Sequence, residues 1–219
     1  MERDWGSLRA LMVEHQIRRR GIRDSRVLQA FLRVPRHLFV PPEYREEAYE
    51  DRAVPIGEQQ TISQPYMVAL MTEAVALTGT ERVLEVGTGS GYQAAILSML
   101  CAEVFTVERR PALAARAGRV LAELGIGNFT LAVGDGAHGY PEAAPFDAIV
   151  VTAAARAIPT SLRGQLAEGG RMVIPVGTSG YQDLLLARKS GGMLVTQTIE
   201  RCVFVPLVSD DESAGSPGH

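Results

Sequence analysis

Residues 82–92 read Arg82-Val83-Leu84-Glu85-Val86-Gly87-Thr88-Gly89-Ser90-Gly91-Tyr92. A short apolar run of strand character passes into a loop in which every second residue is glycine, and a helical pattern starts at Tyr92. Glycine lets the backbone turn sharply and approach a ligand where a Cβ would collide. A bare strand-to-helix turn needs fewer glycines than this. Beyond the carboxyl end of a strand is where doubly wound sheets hold nucleotide-like cofactors.

The same alternation continues downstream. Strand-like runs at 104–107, 129–133, 146–151 and 171–176 are separated by helical patterns at 92–100, 111–124 and 159–168. That order predicts an α/β fold: a doubly wound, mostly parallel Rossmann-like sheet with helices on both faces. Residues 183–188, a Lys-Ser-Gly-Gly turn and residues 193–205 read as an antiparallel C-terminal hairpin. Upstream, Leu8, Leu11, Met12, His15 and Ile17 form one helical stripe that Gly21 can stop, and Asp24 can cap a second helix ending before Pro35. Three regions follow: an N-terminal helical and substrate-side cover (1–78), a cofactor-binding core (79–208) and an acidic, Ser/Gly/Pro-rich tail expected to be disordered (209–219).

Bulk properties narrow the class. At 219 residues, 46% hydrophobic and 21% charged, the chain fits one sizeable α/β domain with a modest attachment. A net charge of −3 leaves no footprint of a nucleic-acid binder. Cys101 and Cys202 are far apart in apolar surroundings and read as buried free thiols of a reducing compartment. The charged start lacks the apolar core of a secretory signal, and no apolar run approaches the roughly 20 residues of a membrane span. A cytoplasmic monomer with no membrane or nucleic-acid partner is expected.

The glycine loop also selects its cofactor. A dinucleotide fingerprint would place its third glycine at position 92, which is Tyr92; here it is Gly91. Glu85 would repel a pyrophosphate but suits a cation. S-adenosylmethionine carries an ammonium and a sulfonium and no phosphate. The acidic-x-Gly-x-Gly-x-Gly pattern resembles class I methyltransferases, which implies that Glu85, Gly87, Thr88, Gly89, Ser90 and Gly91 form the cofactor loop. Glu108 ends the next strand, where an acid can accept both ribose hydroxyls. In the methyltransferase pattern Asp135 bonds the adenine amino group and Gly136 completes the edge, with a plain Asp-Gly turn as the alternative.

Thr61-Ile62-Ser63-Gln64-Pro65 narrows the match further. Together with Arg20-Gly21-Ile22-Arg23-Asp24, Val34-Pro35-Arg36-His37-Leu38-Phe39-Val40-Pro41, the glycine loop, Gly134-Asp135-Gly136, residues 145–154 and Phe204-Val205-Pro206-Leu207-Val208, the chain resembles the protein-L-isoaspartate O-methyltransferase family. The resemblance spans nearly all of the chain before the tail. It implies methyl transfer from S-adenosylmethionine to the isoaspartyl carboxylate of damaged proteins, yielding S-adenosylhomocysteine and an ester that initiates repair. It also implies that Ser63 is the catalytic residue and that Thr61, Ile62 and Gln64 line the substrate pocket. Ser63 reads equally well as the N-cap of the helix that follows. Two departures flank the expected peptide site: Gln59, where the family often has glycine, and Arg156-Ala157, where proline and an acid are common. The four histidines show no ligand spacing such as HExxH, so no metal is expected, and neither a GxSxG elbow nor a phosphate-binding GxxxxGK[ST] loop occurs. The alternatives are a methyltransferase acting on RNA or a small molecule, and a non-catalytic cofactor-binding module.

Overall fold

The computed structural model describes residues 3–178 and 180–210. The N-terminal stripe forms a helix in three gauges. α1 (Trp5–Met12) is capped by the Asp4 carboxylate accepting from Ser7 N, a π-helical turn covers Val13–Ile17, and a 3₁₀ turn covers Arg18–Arg20. Gly21 stops it at φ +106°. α2 (Ser25–Arg33) starts where the Asp24 carboxylate accepts from Arg26 N at 2.8 Å, and Val34 turns extended before Pro35. 3₁₀ turns at Arg36–Phe39 and Pro42–Glu47 lead to a small hairpin, β1 (Val54–Gly57) and β2 (Gln60–Ile62), and then to α3 (Pro65–Ala74). The hairpin is absent from the sequence reading because strands this short show no alternation. Its turn residues Glu58 and Gln59 both have positive φ, +53° and +57°, the turn that fits the twist of paired strands. Gln59 therefore occupies the conformation that glycine adopts most easily.

The sheet comprises β3 (Arg82–Val86), β4 (Glu103–Glu108), β5 (Phe129–Val133), β6 (Phe146–Val151), β7 (Leu166–Val176), β8 (Gln182–Ser190) and β9 (Met193–Cys202), in the order β5-β4-β3-β6-β7-β8-β9. Neighbours from β5 to β7 are parallel, and β8 and β9 close the edge antiparallel. α4 (Tyr92–Ser98), α5 (Pro111–Glu123) and α6 (Thr160–Gln165) connect the parallel strands. Side-chain alternation splits the core in two. Val83, Val104, Ala148, Val150 and Val173 pack with the N-terminal helices and α4, while Leu84, Val86, Phe105, Ile149 and Ile174 pack with Leu162 of α6. The doubly wound architecture and the terminal hairpin agree with the sequence reading.

Two boundaries differ from it. The helix expected over 159–168 ends at Gln165, and residues 166–168 begin β7. Leu166 pairs with Phe146 of β6, and the register slips before Ala148 pairs with Arg171. Gly169 at φ +76° absorbs the slip, and a Cβ on Gly170 would lie 2.8 Å from the Ala167 carbonyl oxygen. Of the stretch expected to be disordered, Ser209 and Asp210 are tied to Asp135; residues 211–219 lie outside the described residues. No helix among the described residues is long and apolar enough to cross a membrane.

From β3 the chain moves outward to β4 and β5, then returns to β6 on the other side of β3. Loops leaving β3 and β6 consequently diverge at the carboxyl end of the sheet. That divergence opens the crevice in which doubly wound folds bind ligands.

Candidate active site

A cleft of about 410 Å³ occupies that position. Its floor is the glycine loop. Gly87 has φ +94°, and a Cβ there would collide with Thr152 Oγ1. Thr152, at the end of β6, donates to the Gly87 carbonyl at 2.6 Å and so fixes the loop. A Cβ on Gly136 would lie 2.5 Å from Val86 Cγ1, so the chain passes close over β3 at that point. Thr88, Gly89 and Ser90 line the cleft. Gly91 does not: at φ +87° it forms the N-cap of α4 and packs toward Ala117 of α5, where a Cβ would stand 3.1 Å from the alanine methyl.

Glu85 is fully buried inside β3, yet borders the cleft. Its Oε2 accepts from Thr106 Oγ1 at 2.5 Å, and Thr106 Oγ1 meets Thr88 Oγ1 at 2.6 Å. With the carboxylate ionised, the protons run one way, from Thr88 to Thr106 to Glu85. Oε1 is buried without a hydrogen-bond partner. Burial pushes Glu85 up to about 8, with the charge of Glu108 adding to the rise and the Thr106 hydroxyl and Ala94 amide opposing it. A buried acceptor with spare capacity at the edge of a cleft is suited to a cationic donor. That unmet oxygen, with the cradle a Cβ would fill, fits a ligand bearing an ammonium and a sulfonium.

Glu108 ends β4 with its carboxylate held square to the cleft. Oε2 accepts from Gly89 N at 2.8 Å and Oε1 from Arg110 N at 2.9 Å. Each oxygen keeps a second acceptor direction, which suits a vicinal diol. Asp135 behaves otherwise. Its carboxylate accepts from Ala137 N at 2.9 Å, Asp210 N at 2.8 Å and Ser209 Oγ at 3.1 Å, and it does not line the cleft; Gly136 does. Asp135, expected to meet the adenine, also anchors the C-terminal segment, because residues 205–208 run back across the sheet beside Ala154 and carry Ser209 to it.

The substrate-side residues form the opposite wall. Thr61, Ile62 and Ser63 line the cleft, and Ser63 is half-buried with no hydrogen bond to its hydroxyl. The capping role is corrected: the N-cap of α3 is Gln64, still extended at ψ 137° and without a side-chain cap bond, and Pro65 takes the first helical position. Gln64 Nε2 instead donates to Asp51, to Oδ1 at 2.8 Å and to the carbonyl at 3.1 Å. It borders a second groove shared with Arg52, Tyr181, Arg201 and Val203. Thr61, Ser63, Thr152 and Val205 line both spaces, so groove and cleft meet at these four residues. Arg156 lies in another surface pocket with Gln182 and Leu207. Thr106 was not singled out by sequence, although period-two spacing from Glu108 places it on one face with it; Thr152 and residues 205–208 were legible only as parts of family motifs, with no site role attached. No group of three or more His, Cys, Asp or Glu among the described residues is arranged to hold a metal ion.

A buried acid with an unmet oxygen beneath a glycine cradle, a second acid at the end of the next strand and an antiparallel end to a parallel sheet are the features of an S-adenosylmethionine-dependent methyltransferase. The family model described as protein-L-isoaspartate(D-aspartate) O-methyltransferase matches residues 8–212, and the chain belongs to that family. A protein-L-isoaspartate O-methyltransferase of Methanoculleus marisnigri is 55% identical over 197 residues, 90% of each chain. One from Roseiflexus castenholzii is 54% identical over 205 residues, 94% of each. Among solved structures, a protein-L-isoaspartate O-methyltransferase superposes with a TM-score of 0.82 at 32% identity, over 94% of this chain and 66% of the other. A Plasmodium falciparum structure assigned to the same activity, in complex with S-adenosyl-L-homocysteine, gives 0.79 at 28% identity, over 94% of this chain and 99% of the other.

Proposed function

We propose that this chain methylates the carboxylate of L-isoaspartyl residues in peptides and aged proteins, with Ser63 orienting the reacting carboxylate. The observation that carries the reading is the unpartnered Ser63 hydroxyl at the junction of cleft and groove. When bound, S-adenosylmethionine supplies a methyl group activated by its sulfonium, the electrophile for the carboxylate oxygen. Glu85 holds the cationic end of the donor, Glu108 accepts from the ribose hydroxyls, and Gly87, Gly89 and Gly136 let backbone approach it.

No strong general base is required. A substrate carboxyl, at about 3.3–4.3 in its ordinary setting, is already ionised near neutrality. The protein has to align it and exclude water. Ser63 donates one hydrogen bond, which fixes direction without removing charge. Thr61 and Ile62 line the wall beside it, and Gln64 shapes the groove along which the peptide lies. In this reading residues 1–78 form the substrate side and 79–208 the donor side. Cys101 and Cys202 are buried free thiols, pushed by burial up to about 12 and about 11, which suits a cytoplasmic setting.

Two peptides differing only in aspartyl against isoaspartyl linkage test the substrate. Radiolabelled methyl is expected in the isoaspartyl peptide alone, and equal incorporation rejects the reading. Ser63→Ala is expected to lower kcat roughly 10- to 150-fold, the worth of a hydrogen bond to a charged group, while calorimetry finds S-adenosylhomocysteine affinity unchanged.

A further inference from the structure

Arg36 is among the largest side chains that the fold buries completely. It sits on the 3₁₀ turn that follows Pro35, and among the described residues no carboxylate lies within 4.0 Å of it. Its guanidinium grips two main-chain carbonyls instead: Nε donates to Ala48 O and Nη2 to Ser63 O, each at 2.7 Å. The same group lies 4.9 Å from the centre of the Tyr92 ring. The Arg36 guanidinium and the Tyr92 hydroxyl also face one another, although Nη1 and that hydroxyl, both buried, fall short of a well-aligned hydrogen bond. Burial brings Arg36 down to about 10, so it remains a cation at neutral pH.

A buried cation without a counter-ion is an arrangement that proteins avoid unless geometry compensates. The three contacts show what is gained. Ala48 belongs to the N-terminal segment, Ser63 to the approach of α3, and Tyr92 opens α4 directly behind the glycine loop. One planar fork of five donors reaches all three, which a lysine could not do. Ser63 lies between regular elements, since β2 ends at Ile62 and α3 begins at Pro65. With its carbonyl held, the peptide plane shared with Gln64 is set, and with it the direction of the Cα–Cβ bond.

We propose that Arg36 is a positioning residue for methyl transfer: by holding the Ser63 carbonyl against α4 it aims the Ser63 hydroxyl at the substrate carboxylate. This rests on the assignment of Ser63 above. Arg36 acts through Ser63, so its loss matters only while the hydroxyl is present.

A double-mutant cycle over Ser63→Ala and Arg36→Met tests this, read both as kcat and as the dissociation constant of an isoaspartyl peptide from the S-adenosylhomocysteine complex. Arg36→Met is expected to cost roughly ten- to a hundredfold in kcat beside Ser63, the scale of a small misplacement. In the Ser63→Ala background the further loss is expected to stay under about twofold, with peptide affinity following the same pattern and S-adenosylhomocysteine affinity constant within about threefold. Arg36→Lys, which keeps the charge and one carbonyl contact, restores part of the loss. Equal losses in both backgrounds identify an arginine that serves only the fold, and overturn the inference. If Ser63→Ala alone leaves kcat unchanged, the serine assignment fails in its own arm and takes the inference with it. Should Arg36→Met lack a cooperative melt, the cycle is run with Arg36→Lys, whose loss must likewise vanish without the serine hydroxyl.

Discussion

At one end of the cleft, Glu85 is sealed inside β3 with one oxygen lacking any partner. Next to the cleft-lining Gly136 but outside the cleft itself, Asp135 stands beyond β5 with its carboxylate bonded to Ala137 N, Ser209 Oγ and Asp210 N, and Arg109 lies 3.7 Å away. Burial works against both charges, with opposite results. It raises Glu85 to about 8, whereas at Asp135 the hydrogen bonds outweigh it and the group falls below its ordinary 3.8. An acid whose hydrogen-bonding capacity is unmet has room for a ligand's donor; one whose capacity is largely filled by its own chain also holds that chain in place. Residue type and position at a strand end do not separate the two.

The largest expected effect is at Glu85. Glu85→Gln removes the charge opposite a cationic ligand, and at an effective dielectric near 20 a pair about 4 Å apart is worth at most about 4 kcal/mol. Affinity for S-adenosylhomocysteine is expected to fall roughly 30- to several-hundredfold by calorimetry, the Coulomb energy being partly offset by desolvation. The pH dependence sharpens this. In the free protein Glu85 is neutral below about 8, and cation binding favours its ionised form. Affinity should therefore rise with pH, up to about tenfold per unit, between about pH 6 and 7.5, with proton release on binding. The glutamine variant should show neither. The sign for stability is opposite. The folded free protein keeps this proton where the unfolded chain has lost it, so Glu85 lowers stability as pH rises from 4.5 to about 8. A pH-independent affinity in the wild type would leave the unpartnered oxygen without a function.

Glu108 lies between the extremes, since backbone amides satisfy half of it and leave half open. Two hydrogen bonds to a carboxylate, about 1.5–3 kcal/mol each, are at stake in Glu108→Ala. Loss of the Gly89 and Arg110 amide contacts also loosens the loop. Water entering the space left by the truncated side chain can meet the ribose hydroxyls in part, so a roughly 10- to 100-fold weakening of S-adenosylhomocysteine is expected, less than at Glu85. Unchanged affinity would mean that its loop-holding bonds are its whole role.

What was legible in the sequence follows the same division between local and distant chemistry. Glu85, Gly87, Gly89 and Glu108 belong to one strand–loop–helix–strand unit, where spacing alone sets position. Ser63 was legible through family resemblance, since its local setting pointed equally to a cap that Gln64 provides in fact. The pairings that complete the site link residues far apart: Thr106 to Glu85 across 21 positions, Arg36 to Ser63 across 27 and Thr152 to Gly87 across 65. A lone arginine after Pro35 carries no sign of burial. The β1–β2 hairpin lacked the glycine or asparagine that usually announces its turn, because Glu58 and Gln59 take positive φ themselves. The anchoring contacts of Asp135 were not legible because its partners Ser209 and Asp210 lie 74 and 75 positions on, in a segment whose composition reads as disorder.

The smallest effect on the ligand is expected at the anchor. Asp135→Asn keeps one acceptor for Ala137 N but turns a donor toward Asp210 N and Ser209 Oγ, or the reverse if the amide flips. Either way at least one contact to the C-terminal segment is lost, and Arg109 keeps only Asp210 as its carboxylate partner. S-adenosylhomocysteine affinity should change by less than about threefold, while the melting temperature drops by the equivalent of about 1 kcal/mol. Hydrogen exchange should quicken at the amides of Leu207 and Asp210, which bond to Ala154 O and Asp135. Asp135 contributes stability only above the unfolded value of 3.8, and that contribution disappears as pH falls through its lower folded value. The melting curves of wild type and variant should converge in that acidic window and separate above it. A tenfold loss of ligand affinity with exchange at these amides unchanged would reverse the assignment, making Asp135 a ligand of the adenine and removing the contrast with Glu85.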